Sequence, residues 1–127
     1  MAITEISIED KARALNQEGE DLFNKGDPDG ALNRFIKAVE MDSNSATAHN
    51  NLGVLYWQLE EPYRALRHFM KALEIDPNDR DTILNCGDIF VSLDKREDAK
   101  EIYSAYLERN PGDDMIIRAL NILEGSY

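Results

Sequence analysis

Ala46–Pro77 reads ATAHNNLGVLYWQLEEPYRALRHFMKALEIDP. Its apolar residues form two blocks of helical spacing, parted at Glu61-Pro62 and stopped at Asp76-Pro77. The first block carries Leu52, Gly53 and Tyr56; the second carries Ala65, Leu66, Phe69, Ala72 and Leu73. This is the pattern of one helical hairpin. The small residues mark where its two helices approach too closely for longer side chains, and Gly53 is expected to face Ala65.

The same punctuation returns 34 residues to either side. Gly19, Gly53 and Gly87 fall in register, as do Ala31, Ala65 and Ala99. So do Leu22, Tyr56 and Phe90, and then Phe35, Phe69 and Tyr103. The unit ends vary more, with Ser43, Pro77 and Pro111. In order along the chain, Ser7 and Asp10 open a helix over about Ile8–Asn24, and Gly26-Asp27-Pro28 turns into a second that ends near Met41-Asp42. Ser45 to about Leu59 forms the third, and Glu61-Pro62 starts the fourth. The third pair covers about Asp79–Leu93 and Arg96–Arg109, before Pro111-Gly112. Met1–Ile6 is an unpatterned lead. Asp114–Leu123 is too short for another repeat but rich in Met115, Ile116, Ile117, Leu120 and Ile122. It reads as a helix covering the open apolar end of the stack; Ile116 and Ile122 exceed what one face buries, so self-association through this helix is the alternative.

The order Leu52-Gly53-x-x-Tyr56, Ala65-x-x-x-Phe69-x-x-Ala72 and Pro77 resembles the tetratricopeptide repeat, with His49 where that family often has Trp. The resemblance covers three repeats, about 12–45, 46–79 and 80–113, plus the end helix at about 114–123. Glu18 and Cys86 precede Gly in repeats one and three, Ser43 replaces Pro, and Tyr106 stands at a small-residue position, where it alters the docking of the last helix. The resemblance implies an all-α fold, a right-handed superhelix of antiparallel hairpins forming a single domain over 1–127. It implies a binder of peptides or helices without chemistry of its own.

The charge sharpens this. A formal net charge of −11 over 127 residues disfavours nucleic acid and anionic membranes and suits a basic or apolar polypeptide partner. No apolar run is long enough to insert into a membrane. Met1–Asp10 lacks the basic start of a secretory signal, so the expected location is cytoplasmic. The single cysteine excludes an internal disulfide; Cys86 sits at a core position and reads as a small buried hydrophobe. Of the two histidines, His49 points to the core and His68 outward. No Ser/His/Asp set, phosphate loop or metal-ligand cluster is present, and Asp27, Asp29, Asp113 and Asp114 are accounted for by helix capping. The expectation is no enzyme, no cofactor and no metal.

Rotating by roughly 100° per residue from Gly53 puts Thr47, Asn51, Val54 and Gln58 on the inner curve of the implied superhelix. Repeat one supplies Arg13, Gln17, Glu20 and Asn24 there; repeat three supplies Asp81, Asn85, Asp88 and Ser92. Gln17, Asn51 and Asn85 share one position, and amides can pair with an extended peptide backbone. The row resembles a short form of the asparagine ladder in the repeat domain of O-GlcNAc transferase; solvation of a polar concave face is the alternative. Phe23, Trp57 and Val91 edge the groove, and Trp57 is the candidate anchor, or else packs between first helices. The candidate peptide-binding residues are therefore Gln17, Glu20, Asn51, Val54, Trp57, Gln58, Asp81, Asn85 and Asp88. The family's carboxylate clamp for acidic chaperone tails maps to Asn16, Glu20, Asn51, Asp81 and Asn85. Only Asn51 fits, and acid replaces the required cation, so that function is rejected. A small secretion-type chaperone for apolar segments remains the rival reading.

Overall fold

The computed structural model describes residues 6–125; the lead at 1–5 lies outside the described residues. Among them are seven helices and no strand: α1 (Ile8–Asn24), α2 (Pro28–Met41), α3 (Ala46–Gln58), α4 (Pro62–Ile75), α5 (Arg80–Ser92), α6 (Arg96–Arg109) and α7 (Asp114–Glu124). The boundaries fall within a residue or two of the sequence reading. By contacts the chain divides between Ile75 and Asp76 into two compact units.

Local chemistry explains the helix starts. Ser7 accepts from the Asp10 amide at 3.1 Å, Asp27 from Gly30 at 2.9 Å and Ser45 from Ala48 at 3.1 Å, each satisfying an amide that the helix leaves unpaired. Pro28 and Pro62 occupy first-turn positions, where the missing N–H costs nothing. Three of the helices end alike. After α1, α3 and α5 one residue turns left-handed: Gly26 (φ 85°), Glu60 (φ 61°) and Asp94 (φ 58°). The next amide then reaches back five residues, Asp27 to the Leu22 carbonyl at 2.9 Å, Glu61 to Tyr56 at 2.9 Å and Lys95 to Phe90 at 2.7 Å. These are Schellman closures that reverse the chain into the following helix.

In the first unit α1 packs on α2, α3 on α4, and α3 also meets α2 and α1. Ala31, Phe35, Leu52 and Leu55 form a buried core cluster, with Leu22, Phe23, Leu32, Val39 and Tyr56 packed around it. The atoms nearest Gly53 belong to Phe69: a Cβ at that position would sit 2.6 Å from Phe69 Cε1. Gly19 meets Phe35 in the same way, 2.6 Å from Cδ1. The glycines therefore admit a flat ring, which explains why glycine and aromatic recur together.

In the second unit α5 packs on α6 and α6 on α7. Gly87 lies under Tyr103, ring and hydroxyl together. Ile83, Cys86, Ile89, Ala99, Tyr103, Tyr106 and Ile116 are buried. Tyr106 takes part in holding the end helix. Its hydroxyl donates to Asp113 Oδ2 at 2.6 Å, and Arg80 Nε donates to the same oxygen at 2.7 Å, at the residue that opens α7. These bonds hold the Asp113 carboxyl below the usual carboxylate range. Arg96 donates to the Leu123 carbonyl at 3.3 Å at the other end of α7. The helix buries Ile116 fully but leaves Ile122 61% exposed and Met115 exposed, so its apolar surplus faces outward.

Candidate functional site

The groove lies in the first unit, between α1 and α3. Successive turns of α1 present Arg13, Gln17, Glu20 and Asn24 along it, and α3 presents Thr47, Asn51 and Val54. Spacings of three and four residues put each set on one helix face. Two clefts open there. The smaller, of about 260 Å³, is floored by buried Phe35 and Leu55, walled by Phe23 and Val54 and rimmed by Glu20, Asn24 and Asn51. The larger, of about 460 Å³, runs toward the start of α1 and the α2–α3 turn, past Arg13, Asn16, Gln17, Asp42 and Thr47. Glu20 borders both. Asn51 Nδ2 donates to Glu20 Oε1 at 3.3 Å, tying the two helices across the rim.

Of the nine sequence candidates, Glu20, Asn51 and Val54 meet at one cleft and Gln17 lines its neighbour. Trp57 is 39% exposed and Gln58 exposed, one turn farther along α3 and outside both clefts. Asp81, Asn85 and Asp88 sit on α5 in the second unit, with Asp81 and Asp88 exposed and Asn85 half-buried. Partial desolvation pushes the Asp88 carboxyl above its ordinary range. The sequence reading missed the floor residues Phe35 and Leu55. Leu55 lies roughly 200° from Gly53, just past the groove sector, where an apolar residue reads as core.

His68 is the clear correction. It is not an outward surface residue: half-buried, it stacks on Tyr56 and His49 at centroid distances of 5.5 Å. His49 Nε2 lies 3.1 Å from the Ser43 carbonyl, which can only accept, so that nitrogen carries the proton. His49 Nδ1 and His68 Nδ1 lie 3.2 Å apart, with one proton between them. Burial first, then the nearby His49 and Arg67, pull the His68 pKa from 6.5 to about 4. His68 is therefore neutral near pH 7, and its contact with His49 ties α3 to α4.

Burial pushes the Cys86 thiol up to about 12, which makes it a poor nucleophile. Among the described residues no three His, Cys, Asp or Glu side chains are placed to hold a metal ion, and no helix is long and apolar enough to cross a membrane.

Repeated antiparallel hairpins, closed by one turn geometry and exposing a polar-rimmed cleft between first helices, define a helical-repeat protein. The tetratricopeptide repeat profile matches residues 46–79, and a second TPR repeat profile matches 19–60. The chain is a tetratricopeptide-repeat protein with an all-α helical repeat fold. Among solved structures it is similar to the N-terminal domain of stress-induced protein-1 from C. elegans, at 19% identity over 94% of this chain and 99% of that one, with a TM-score of 0.81. It is also similar to the first TPR of Spaghetti (RPAP3) bound to the HSP90 peptide SRMEEVD, at 22% identity over 92% and 93% of the two chains and a TM-score of 0.78. The second TPR domain of human RPAP3, in complex with the HSP70 peptide SGPTIEEVD, gives 18% identity over 93% and 98% and a TM-score of 0.78. No curated protein matches the sequence.

Proposed function

We propose that this chain is a non-enzymatic interaction module that holds a peptide or helix of basic or apolar character against the groove between α1 and α3. The observation that carries this is the smaller cleft: an apolar floor of Phe35 and Leu55 under a rim of Glu20, Asn24 and Asn51. Such a cleft gains by burying an apolar side chain and offers amide groups to the backbone beside it. Trp57, largely reachable at the next turn of α3, supplies a flat anchor. Asp81, Asn85 and Asp88 repeat the same acid-and-amide chemistry on α5. The reading takes 1–127 as one cytoplasmic domain of three repeats and an end helix.

The ligands of the two RPAP3 structures end in Glu-Glu-Val-Asp. Here Glu20, with Glu9 and Asp42 along the same clefts, would repel such a tail, so the groove suits the opposite charge. Fluorescence anisotropy with labelled peptides tests the proposal. A basic-apolar peptide should bind the chain, and an EEVD-ending peptide should not. Val54→Glu and Trp57→Ala should each weaken binding by tenfold or so while helicity persists. Equal binding of both peptides, or a basic-apolar peptide indifferent to both substitutions, sinks the proposal. A second reading, self-assembly through α7, rests on exposed Met115 and Ile122; sedimentation that does not change with concentration would remove it.

A further inference from the structure

We propose that the larger cleft, between the first half of α1 and the α2–α3 turn, is a subsite for a cationic side chain, arginine or lysine, of the bound peptide. This rests on the proposed function and narrows it to one ligand chemistry at one place.

Asn16 is 5% exposed and is the one buried residue among those lining the cleft. Its Oδ1 is enclosed without a hydrogen-bond partner. A buried amide oxygen that has lost its hydration calls for a donor. Guanidinium and ammonium groups are donors only, so they answer that need without bringing an acceptor that must itself be satisfied. Charge at the mouth selects the same class. Glu9, Glu20 and Asp42 face a single cation, Arg13, which is already paired with Asp10 at 2.9 Å. The carboxylates are only lightly engaged: Glu20 Oε1 accepts from Asn51 at 3.3 Å, and Asp42 Oδ1 from the Asn44 amide at 3.1 Å. A neutral amide could satisfy Asn16 but would gain little from the rim, and an anion would be repelled.

The subsite also sets a spacing. The larger cleft follows α1 from Glu9 to Glu20 and the apolar cleft follows it from Glu20 to Asn24. At the helical rise their centres are roughly 10 Å apart. A peptide in the polyproline II conformation, with three residues per turn and a rise of about 3.1 Å, covers that in about three residues and points both side chains the same way. The ligand signature is therefore an apolar residue and a basic residue three positions apart.

The test uses two labelled synthetic peptides in an Ala/Ser background. One carries Leu and Arg three positions apart; the other has citrulline, the neutral isostere, in place of Arg. On the wild-type chain the Arg peptide should bind about three- to tenfold more tightly than the citrulline peptide, the gain of two or so partly exposed charge pairs. In the Glu9→Gln/Asp42→Asn variant that preference should fall below about twofold while citrulline-peptide affinity holds. The Asn16 side-chain amide signals in NMR should move with the Arg peptide and not with its neutral counterpart. Asn16→Leu should likewise erase the preference; if that variant does not fold, the surface double variant still decides. Equal affinity for both peptides, with Val54→Glu abolishing each, would overturn the cationic subsite and leave the groove standing. No binding of either peptide would overturn both.

Discussion

Gly53→Ala sets two effects of known size against each other. Alanine favours a helix interior over glycine by about 0.8–1 kcal/mol, so on an isolated helix the change would stabilise. In the hairpin the new Cβ would lie 2.6, 2.7 and 2.8 Å from Cε1, Cδ1 and Cζ of Phe69, roughly an ångström inside ordinary carbon contact. Phe69 is 1% exposed, so its ring has no solvent to retreat into. Overpacking of this kind costs about 1–3 kcal/mol. The expected net is a destabilisation of about 0–2 kcal/mol for Ala, and Gly53→Leu should reach the top of the overpacking range. A double-mutant cycle with Phe69→Leu isolates the contact, because the smaller side chain leaves room for the methyl. The coupling should be about 0.5–2 kcal/mol in the direction of relief. Urea unfolding followed by far-ultraviolet circular dichroism measures all four corners. If Gly53→Ala raised stability equally with and without Phe69, the ring would not be what excludes a side chain there.

Three further outcomes are expected. His68 has its pKa depressed, so its neutral state supports the fold: that contribution is complete above pH 6.5 and is lost as pH falls toward 4. The full shift would be worth about 3 kcal/mol, and partial solvent access at the ring cuts this to about 1–2. Urea midpoints should therefore drop between pH 7.5 and 4.5 more steeply for wild type than for His68→Gln, and parallel pH curves would refute the histidine pair. Tyr106→Phe removes one donor to Asp113 and should cost about 1 kcal/mol, with amide exchange accelerating first in Asp114–Glu124; uniform acceleration would contradict the tie. Cys86, buried and poorly acidic, should resist a thiol reagent until urea unfolds the chain, and rapid labelling of the native protein would place it at the surface.

The helices were legible because their punctuation is local. Ser7, Asp27 and Ser45 act within three residues of themselves, and the proline stops need no tertiary knowledge. The 34-residue register then gave the pairing. What escaped depends on how one helix is rotated against its neighbour. The sequence pointed from Gly53 to Ala65, and the Phe69 ring lying against Gly53 depends on how α4 is rotated on α3. His68 read as outward from its own helix face, yet His49, 19 residues earlier, captures it. Tyr106 stood out as an anomaly, but its partner Asp113 and the second donor Arg80, 33 residues before Asp113, meet only when α6 and α7 dock. At the groove, rotation about α1 and α3 picked out Glu20, Asn51 and Val54. The apolar floor and the buried Asn16 oxygen belong to packing between helices and had no local sign.

The left-handed residue that closes α1, α3 and α5 is glycine once and an acidic side chain twice. Glu60 and Asp94 hold a conformation that favours glycine, so what fixes the bend must be the helices docking on either side and the backbone bonds that close them. The connectors are then interchangeable parts. The Lys25–Pro28 linker could be transplanted into the second or third hairpin without altering the angle at which the chain doubles back, giving an engineer three equivalent places to insert, label or stiffen this protein.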